Sequence, residues 1–443
     1  MAIPFTNGLH CRKFIATDEN DNSIFKMGSE TAYAASPPVC AWDETSPTAA
    51  AHAESAPIPP GSRGGIAAAA STLGRGAGAL LGTSLLRISV CITAGAIFGL
   101  AMEKGRVFEP LLIRNQMDFS SNVMLKMFMA AVSAVLVSMS ALSVLPTTSQ
   151  RFQLARDNFI CRLSAKGVAA SVIGGTLLGI GMTIGGACPG AVLVQIGAGV
   201  SNAGYTLLGC ILGATLYGLT EQTVSGWTRP KNPAQKVRID EIVGLPFWKV
   251  ALPFGIALAM FVYFLEVVVP WTSDLTVPNQ SEASLFALRS WLPSISGALI
   301  GCMQIPIVLA MGQTMGGSGS YCTMAAQLIP TGTLRNVSPY LLRTKYGLNN
   351  WWSIAYGCAA IAGAVFSASM AGALGDTEGV SALHAFLGGI IMVYGSRLAG
   401  GCTSGHGMSG MGTLCLFSFA AVPAMFVGGI GTLATMKLTG LVN

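Results

Sequence analysis

The sequence predicts an all-α, polytopic helical membrane protein with about nine transmembrane helices, short re-entrant half-helices and an inverted repeat. Three observations predict it. Hydrophobic residues make up 52% of the 443 residues, charged residues only 10%, and mean hydropathy is +0.59. A soluble domain carries about 25% charged residues. Apolar segments close to the ~20 residues that cross a bilayer recur along the chain. Finally, two glycine-laden apolar segments each end in a cysteine turn, and a shift of 214 residues lays one on the other.

Residues 1–75 stand apart. They mix Pro, Ala, Ser, Thr and acidic residues, as in Ser36-Pro37-Pro38 and Pro57-Ile58-Pro59-Pro60-Gly61, with no apolar periodicity. Such a stretch cannot bury enough apolar surface to offset its ordering entropy, and it reads as a disordered tail. It has no N-terminal apolar run, and Asp18, Glu19, Asp21 and Glu30 argue against a transit sequence.

Spans are then expected near 84–103, 123–145, 167–186, 204–220, 250–270, 293–312, 351–373, 382–398 and 414–436. Three shorter stretches, 188–200, 316–330 and 402–413, are rich in Gly, Ser and Thr and too short to cross. They read as re-entrant or half-helical. The chain therefore divides into a first transmembrane repeat (84–220), a connector carrying the fifth span (221–292) and a second repeat (293–440). Gly95-Ala96-Ile97-Phe98-Gly99 resembles Gly297-Ala298-Leu299-Ile300-Gly301, which strengthens the repeat.

Basic residues orient the spans. Arg151, Arg156, Arg162 and Lys166 follow the second span; Arg229, Lys231, Lys236, Arg238 and Lys249 follow the fourth; Arg335, Arg343 and Lys345 precede the seventh. All fall on one side if each short stretch leaves by the face it entered. The opposite loops hold Asp274, Glu282 and Arg289, then Asp376 and Glu378. Lys104, Arg106 and Arg114 are the exception. The positive-inside rule then puts the N-terminus in the cytoplasm, and the plasma membrane is the expected location. The second four spans start on the opposite side from the first four, so the halves are inverted. The net charge of +6 is spread over loops, which orients the chain and does not point to nucleic acid.

The eleven cysteines show no CxxC, and no His pair accompanies them, so neither a metal site nor a disulfide frame is indicated. No Walker, dinucleotide, HExxH or GxSxG element is present, so no cofactor and no enzymatic or ATP-driven step is expected. The cysteine turns carry the chemistry instead. Under the 214-residue shift Gly174, Gly175, Gly181, Gly186 and Cys188 fall on Gly388, Gly389, Gly395, Gly400 and Cys402. A broken helix repeated in both halves of an apolar chain points to a binding site near the bilayer midplane.

Cys188-Pro189-Gly190 is expected at the mouth of a half-helix running from Pro189, since Pro is tolerated in a first turn. Free N–H groups there favour an anion. Cys402-Thr403-Ser404-Gly405-His406 offers a matching mouth with two hydroxyls. The thiols are taken as neutral donors, since a thiolate would repel an anion. Cys322, at the end of Gly316-Gly317-Ser318-Gly319-Ser320-Tyr321-Cys322, either approaches the same path or packs at a flexible turn. His406 either meets the anion or bonds a local carbonyl. Arg397 either gives the path a positive field or snorkels to the interface. Glu266, in the fifth span, is either a proton-coupling group or an edge residue near Pro270 and Trp271. A different class of reading is a membrane-embedded thiol enzyme, with His406 as base to Cys402 four residues away.

At these residues the chain resembles the YeeE/YedE sulphur-transport family. The resemblance covers about 85–440. It rests on Gly186-Ala187-Cys188-Pro189-Gly190, on Gly400-Gly401-Cys402-Thr403-Ser404-Gly405-His406-Gly407, and more weakly on Gly99–Phe108. It implies uptake of thiosulfate, or a related sulphur anion, along a central path where cysteines pass the ion by S–H hydrogen bonds. Cys188 and Cys402 match two of those cysteines. A further family cysteine, near the end of the first span, has no counterpart in Arg106-Val107-Phe108-Glu109; Cys322 or Cys91 takes its role, or the substrate differs. Another small ion or a selenium compound is the alternative cargo. A soluble sulphur-handling partner fits such a role, although nothing in the chain calls for one.

Overall fold

The computed structural model describes residues 65–230, 237–274 and 284–441. Most of the expected tail lies outside the described residues. The helices are α1 (Gly65–Lys104), α2 (Pro110–Asn115), α3 (Val123–Val144), α4 (Pro146–Ser164), α5 (Gly167–Gly185), α6 (Ala191–Ala198), α7 (Ala203–Thr228), α8 (Ile239–Val243), α9 (Phe247–Val268), α10 (Pro293–Cys302), α11 (Gln304–Met311), α12 (Gly319–Leu328), α13 (Thr331–Val337), α14 (Pro339–Lys345), α15 (Leu348–Met370), α16 (Ala382–Ala399) and α17 (Leu416–Leu438). A π-helical segment, Thr403–Gly410, follows α16.

Among the described residues, nine helical segments are long and apolar enough to cross a membrane. They begin at Ser84, Val123, Gly167, Ala203, Phe247, Pro293, Asn350, Ala382 and Leu416. Each falls within a few residues of its expected start. Two details differ from expectation. The sixth span is two helices, α10 and α11, broken at Met303. The basic stretch after the second span is no loop but α4, which starts at Pro146 in the first helical turn. Its side chains Phe152, Arg156, Phe159 and Leu163 recur at helical spacing and are buried.

Helices of the first half pack on helices of the second. α5 packs on α16 and α17, α16 also on α7, α1 on α15 and α3 on α10. Exchanging the halves turns α1–α15 into α10–α3, α5–α17 into α16–α7, and α5–α16 into itself. The last pairing is the seam of the molecule, and glycine makes it. A Cβ on Gly388 would lie 2.3 Å from the Gly185 nitrogen; one on Gly174 would lie 2.6 Å from the Gly395 carbonyl oxygen; one on Gly395 would lie 2.7 Å from that of Gly174. Small residues let backbones approach this closely in a bilayer, where no hydrophobic force separates helix from lipid.

Ion pairs fasten one end of the bundle. Arg156 of α4 pairs with Asp240 of α8, Arg238 with Asp157 and Glu241. Lys166, between α4 and α5, donates to the Tyr217 hydroxyl of α7 at 2.9 Å and to the Arg397 carbonyl of α16. This is the basic end. At the opposite end Lys437 pairs with Asp118, and Arg289 with Asp376. Glu266 resolves as an edge residue: it pairs with Lys126 at 2.9 Å and accepts the Trp271 N–H.

Two stability measurements follow. Gly388→Ala puts a methyl group into backbone that cannot yield, and overpacking of this kind costs about 1–3 kcal/mol or more. Its melting midpoint in detergent falls by several degrees, whereas Gly431→Ala, where a Cβ meets nothing within 4 Å, melts like the wild type. Burial, reinforced by the Arg397 charge and opposed by Cys322 and Glu221, pulls the Lys166 ammonium down to about 7. An unfolded lysine keeps its proton to about 10.4. Between those values the unfolded chain binds the extra proton, so stability rises with pH across that window and is lowest below about 7. Lys166→Met loses that rise in melting midpoint.

Candidate functional site

Both cysteine turns end helices of the glycine seam. α5 stops where Gly186 takes a left-handed φ of 57°, and α16 stops where Gly400 takes 90°. A left-handed glycine is the usual way to end a helix while satisfying its last carbonyls; here Gly400 N–H and Gly401 N–H both donate to the Ser396 carbonyl. Gln195 pins the first break from α6, donating to the carbonyls of Gly186 and Phe108 at 2.8 Å each. Gln304 and Ser409 pin the second, both bonding the backbone of Met315.

The first break places Cys188 where the sequence leads one to expect it, with one adjustment: α6 begins at Ala191, two residues beyond Pro189. The Cys188 sulphur accepts the Ala191 N–H at 3.3 Å, so the thiol itself covers the start of α6. Cys188 is buried, and Thr403 of the second break lies close enough to act on its thiol electrostatically. Pro189 holds the hydroxyl of Tyr321 through its carbonyl at 2.6 Å. Beside Gly190 a Cβ would come within 3.0 Å of the Phe98 ring, so the turn and α1 are in contact.

At the second break the Cys402 thiol is fully buried. It sits 3.1 Å from the Ser404 hydroxyl, with Ser318 and Gly405 nearby. The two thiols, Thr403 and Ser404 thus share one neighbourhood, and Tyr321 joins it through the Pro189 carbonyl next to Cys188.

His406 is fully buried and used internally. Nε2 faces the Ala399 carbonyl at 3.1 Å and Nδ1 faces the Ser418 hydroxyl at 3.0 Å. A carbonyl only accepts, so Nε2 carries the proton and Nδ1 accepts from Ser418. Neither nitrogen bonds the Cys402 thiol. The four-residue spacing that would pair base and nucleophile on an α-helix does not do so here, because Cys402 has extended backbone ahead of the segment and both ring nitrogens are already bonded.

Cys322 lies in α12, fully buried, with its sulphur 3.8 Å from the Tyr340 hydroxyl. Tyr340 in turn accepts from Arg397, Nε at 2.9 Å and Nη2 at 2.7 Å. Arg397 does not snorkel; its Nη1 donates inward to Ser318 at 3.3 Å. Cys91 is buried in α1, near Tyr356. Tyr340 and Gln195 are site residues that no motif marked out, and Ser318 and Tyr321 stood in the Gly316–Cys322 stretch without a role of their own. Aromatic and amide side chains in an apolar chain read as packing until their partners, 18 to 132 residues away, are placed.

Two cavities lie on the side away from the basic end, and the smaller reaches the site at Thr403. One, of about 650 Å³, is charged; Arg106, Arg114, Arg289 and Lys437 line it together with Glu109, Asp118, Asp376 and Glu378. The stretch that lacks the family cysteine forms its wall: Arg106 pairs with Glu109 and stacks over the Phe108 ring at 5.3 Å. A second, about 40 Å³, lies between Gln116, Met182, Met425 and Thr403. Among the described residues no cluster of His, Cys, Asp and Glu could hold a metal ion.

The sequence profile described as Sulphur transport matches residues 104–431. A thiosulfate transporter of Spirochaeta thermophila, TsuA, is 24% identical over 369 residues, which is 77% of this chain and 97% of that protein. The TsuA thiosulfate transporter of Escherichia coli is 22% identical over 334 residues, 72% of this chain and 85% of that protein. With two thiol-bearing helix breaks meeting inside a nine-span bundle, and a family profile across most of its length, this chain belongs to the sulphur transport family of multi-pass membrane proteins.

Proposed function

We propose that the protein carries thiosulfate, or a closely related sulphur anion, across a membrane along a path flanked by Cys188 and Cys402. One observation carries the reading: repeat-related helix breaks bring two buried thiols and the half-buried residues Thr403 and Ser404 into one neighbourhood. Thiosulfate has a soft terminal sulphur and three oxyanion oxygens. Thiols are polarizable, weak donors that suit the former; hydroxyls and backbone N–H groups suit the latter. The relatives named as thiosulfate transporters, matched along nearly the whole membrane region, support the same cargo.

In this scheme the ion enters from the charged 650 Å³ cavity, passes Thr403 and Cys188, and reaches Cys402. Cys322 and Arg397 lie beyond it toward the basic end. The positive-inside rule makes that end cytoplasmic, which makes the passage an uptake route at the plasma membrane. His406 holds the second break in shape and does not act as a base. No covalent product forms, so the ion arrives unchanged.

The test is radiolabelled thiosulfate uptake into liposomes holding the full chain. Wild type accumulates labelled thiosulfate. Cys188→Ala and Cys402→Ala each lower the initial rate by about tenfold or more, the cost of one charge-assisted hydrogen bond, with an unchanged melting midpoint. Cys302→Ala, at an exposed cysteine, transports normally. A folded wild type that moves no thiosulfate, or that releases sulphite from it, overturns the reading.

A further inference from the structure

The basic half of the bundle holds a half-buried cation whose partners are all neutral. Arg397 sits on α16, inside a membrane-spanning segment. Three of its five N–H groups are used: two on the Tyr340 hydroxyl and one on the Ser318 hydroxyl. Among the described residues no carboxylate pairs with it. The neighbouring basic side chain, Lys166, supplies no negative charge either, and it too bonds only a hydroxyl and a carbonyl. An ionised side chain buried in a membrane protein is expensive, and such groups pair with one another or mark an ion pathway. This one has no resident pair.

Open space lies beside it. Ser318 stands in the turn Gly316–Gly317–Ser318–Gly319. A Cβ built on any of its three glycines meets nothing within 4 Å, although Gly317 is buried. Elsewhere along the seam a glycine marks backbone against backbone; here it borders interior room. Ser318 accepts from Arg397 and lies near the Cys402 turn. A fork of guanidinium N–H groups matches two oxygens of a tetrahedral oxyanion. The Tyr340 hydroxyl now occupies the fork, and it is the group that leads on to Cys322 at 3.8 Å.

We propose that Arg397 and Ser318 form a second subsite for the sulphur oxyanion, between Cys402 and the basic end, and that the Tyr340 hydroxyl closes it. With thiosulfate as cargo, as proposed above, an ion leaving Cys402 displaces Tyr340 from Arg397. The returning Tyr340 then expels it. The hydroxyl is thus a competitor for the cation and acts as an inner gate.

Competition gives the test a sign. Equilibrium binding of labelled thiosulfate is measured on the purified full chain, with sulfate as a competing oxyanion. Arg397→Gln weakens thiosulfate binding by about tenfold or more and abolishes sulfate competition, as loss of a charge-assisted fork does. Arg397→Lys falls between the two, having charge without the fork. Tyr340→Phe removes the competitor, tightens binding severalfold and slows uptake in liposomes. A purely structural Arg397–Tyr340 contact predicts that both variants weaken binding together.

Two results overturn the proposal: Arg397→Gln binding within twofold of wild type, or Tyr340→Phe weakening binding. If Arg397→Gln fails to fold, the direction of the Tyr340→Phe effect decides alone. A wild type that transports thiosulfate while these variants behave like it removes only the inner subsite. A wild type that transports none removes the cargo reading instead.

Discussion

Everything at the centre of this protein depends on how closely α5 and α16 approach. Their glycines leave room for backbone alone, and the approach distances repeat when the halves are exchanged: Gly174 meets Gly395, and Gly388 meets Gly181 and Gly185. Helices this close cannot both continue through the middle of a bilayer with ordinary side chains between them. Each instead ends at a left-handed glycine, and the chain leaves the break with a cysteine two residues later. The breaks are therefore held to the seam on one side and pinned by Gln195, Gln304 and Ser409 on the other. Irregular backbone at this depth survives only where it is so satisfied or lines a cavity.

Chemistry follows from that placement. Two thiols, two hydroxyls and several backbone N–H groups gather where the helix axes stop. None of them is titrated by a neighbouring base, because His406 is spent on Ala399 and Ser418. On the proposed function, a cluster of weak donors would grip an anion loosely and in several places. Conduction asks for that: binding strong enough to draw the ion in and weak enough to let it go. The charged groups would then stand at either end of the proposed route, in the 650 Å³ cavity and around Arg397, and leave the middle to sulphur.

Most of the fold was legible because a membrane imposes a simple code. Span length, glycine clusters and the basic loops each reflect one physical demand of the bilayer, and the nine spans start close to where hydropathy puts them. The breaks were legible because glycine and proline stand where a helix must stop. Less legible was anything decided by tertiary contact. α4 hides in a polar stretch because its stabilising partners, Asp240 and Phe247, lie far along the chain. The break at Met303 has no glycine or proline at the point of fracture, and Pro306 stands just beyond it. The extended backbone at Cys402 undoes the spacing argument for a Cys402–His406 pair. Arg397 was ambiguous for the same reason: a lone arginine near a span end reads equally as an anchor until Tyr340 is seen on its fork.

The same backbone seam also bears on how the molecule can move. Many transporters rock one half against the other. Here the halves meet through α1–α15, α3–α10, α5–α16, α5–α17 and α7–α16, and in each a glycine carries a neighbouring carbonyl or amide almost against its Cα. Rocking would have to peel all five contacts at once, with no long side chains to keep touch as they part. The elements free of that obligation are α12, the glycine turn before it and the α14 segment that carries Tyr340. A frame that stays still while small parts shift needs no large change of shape to pass a small ion. Its turnover would then be limited by side-chain and loop motions, which are fast, and not by the slower reorientation of whole domains.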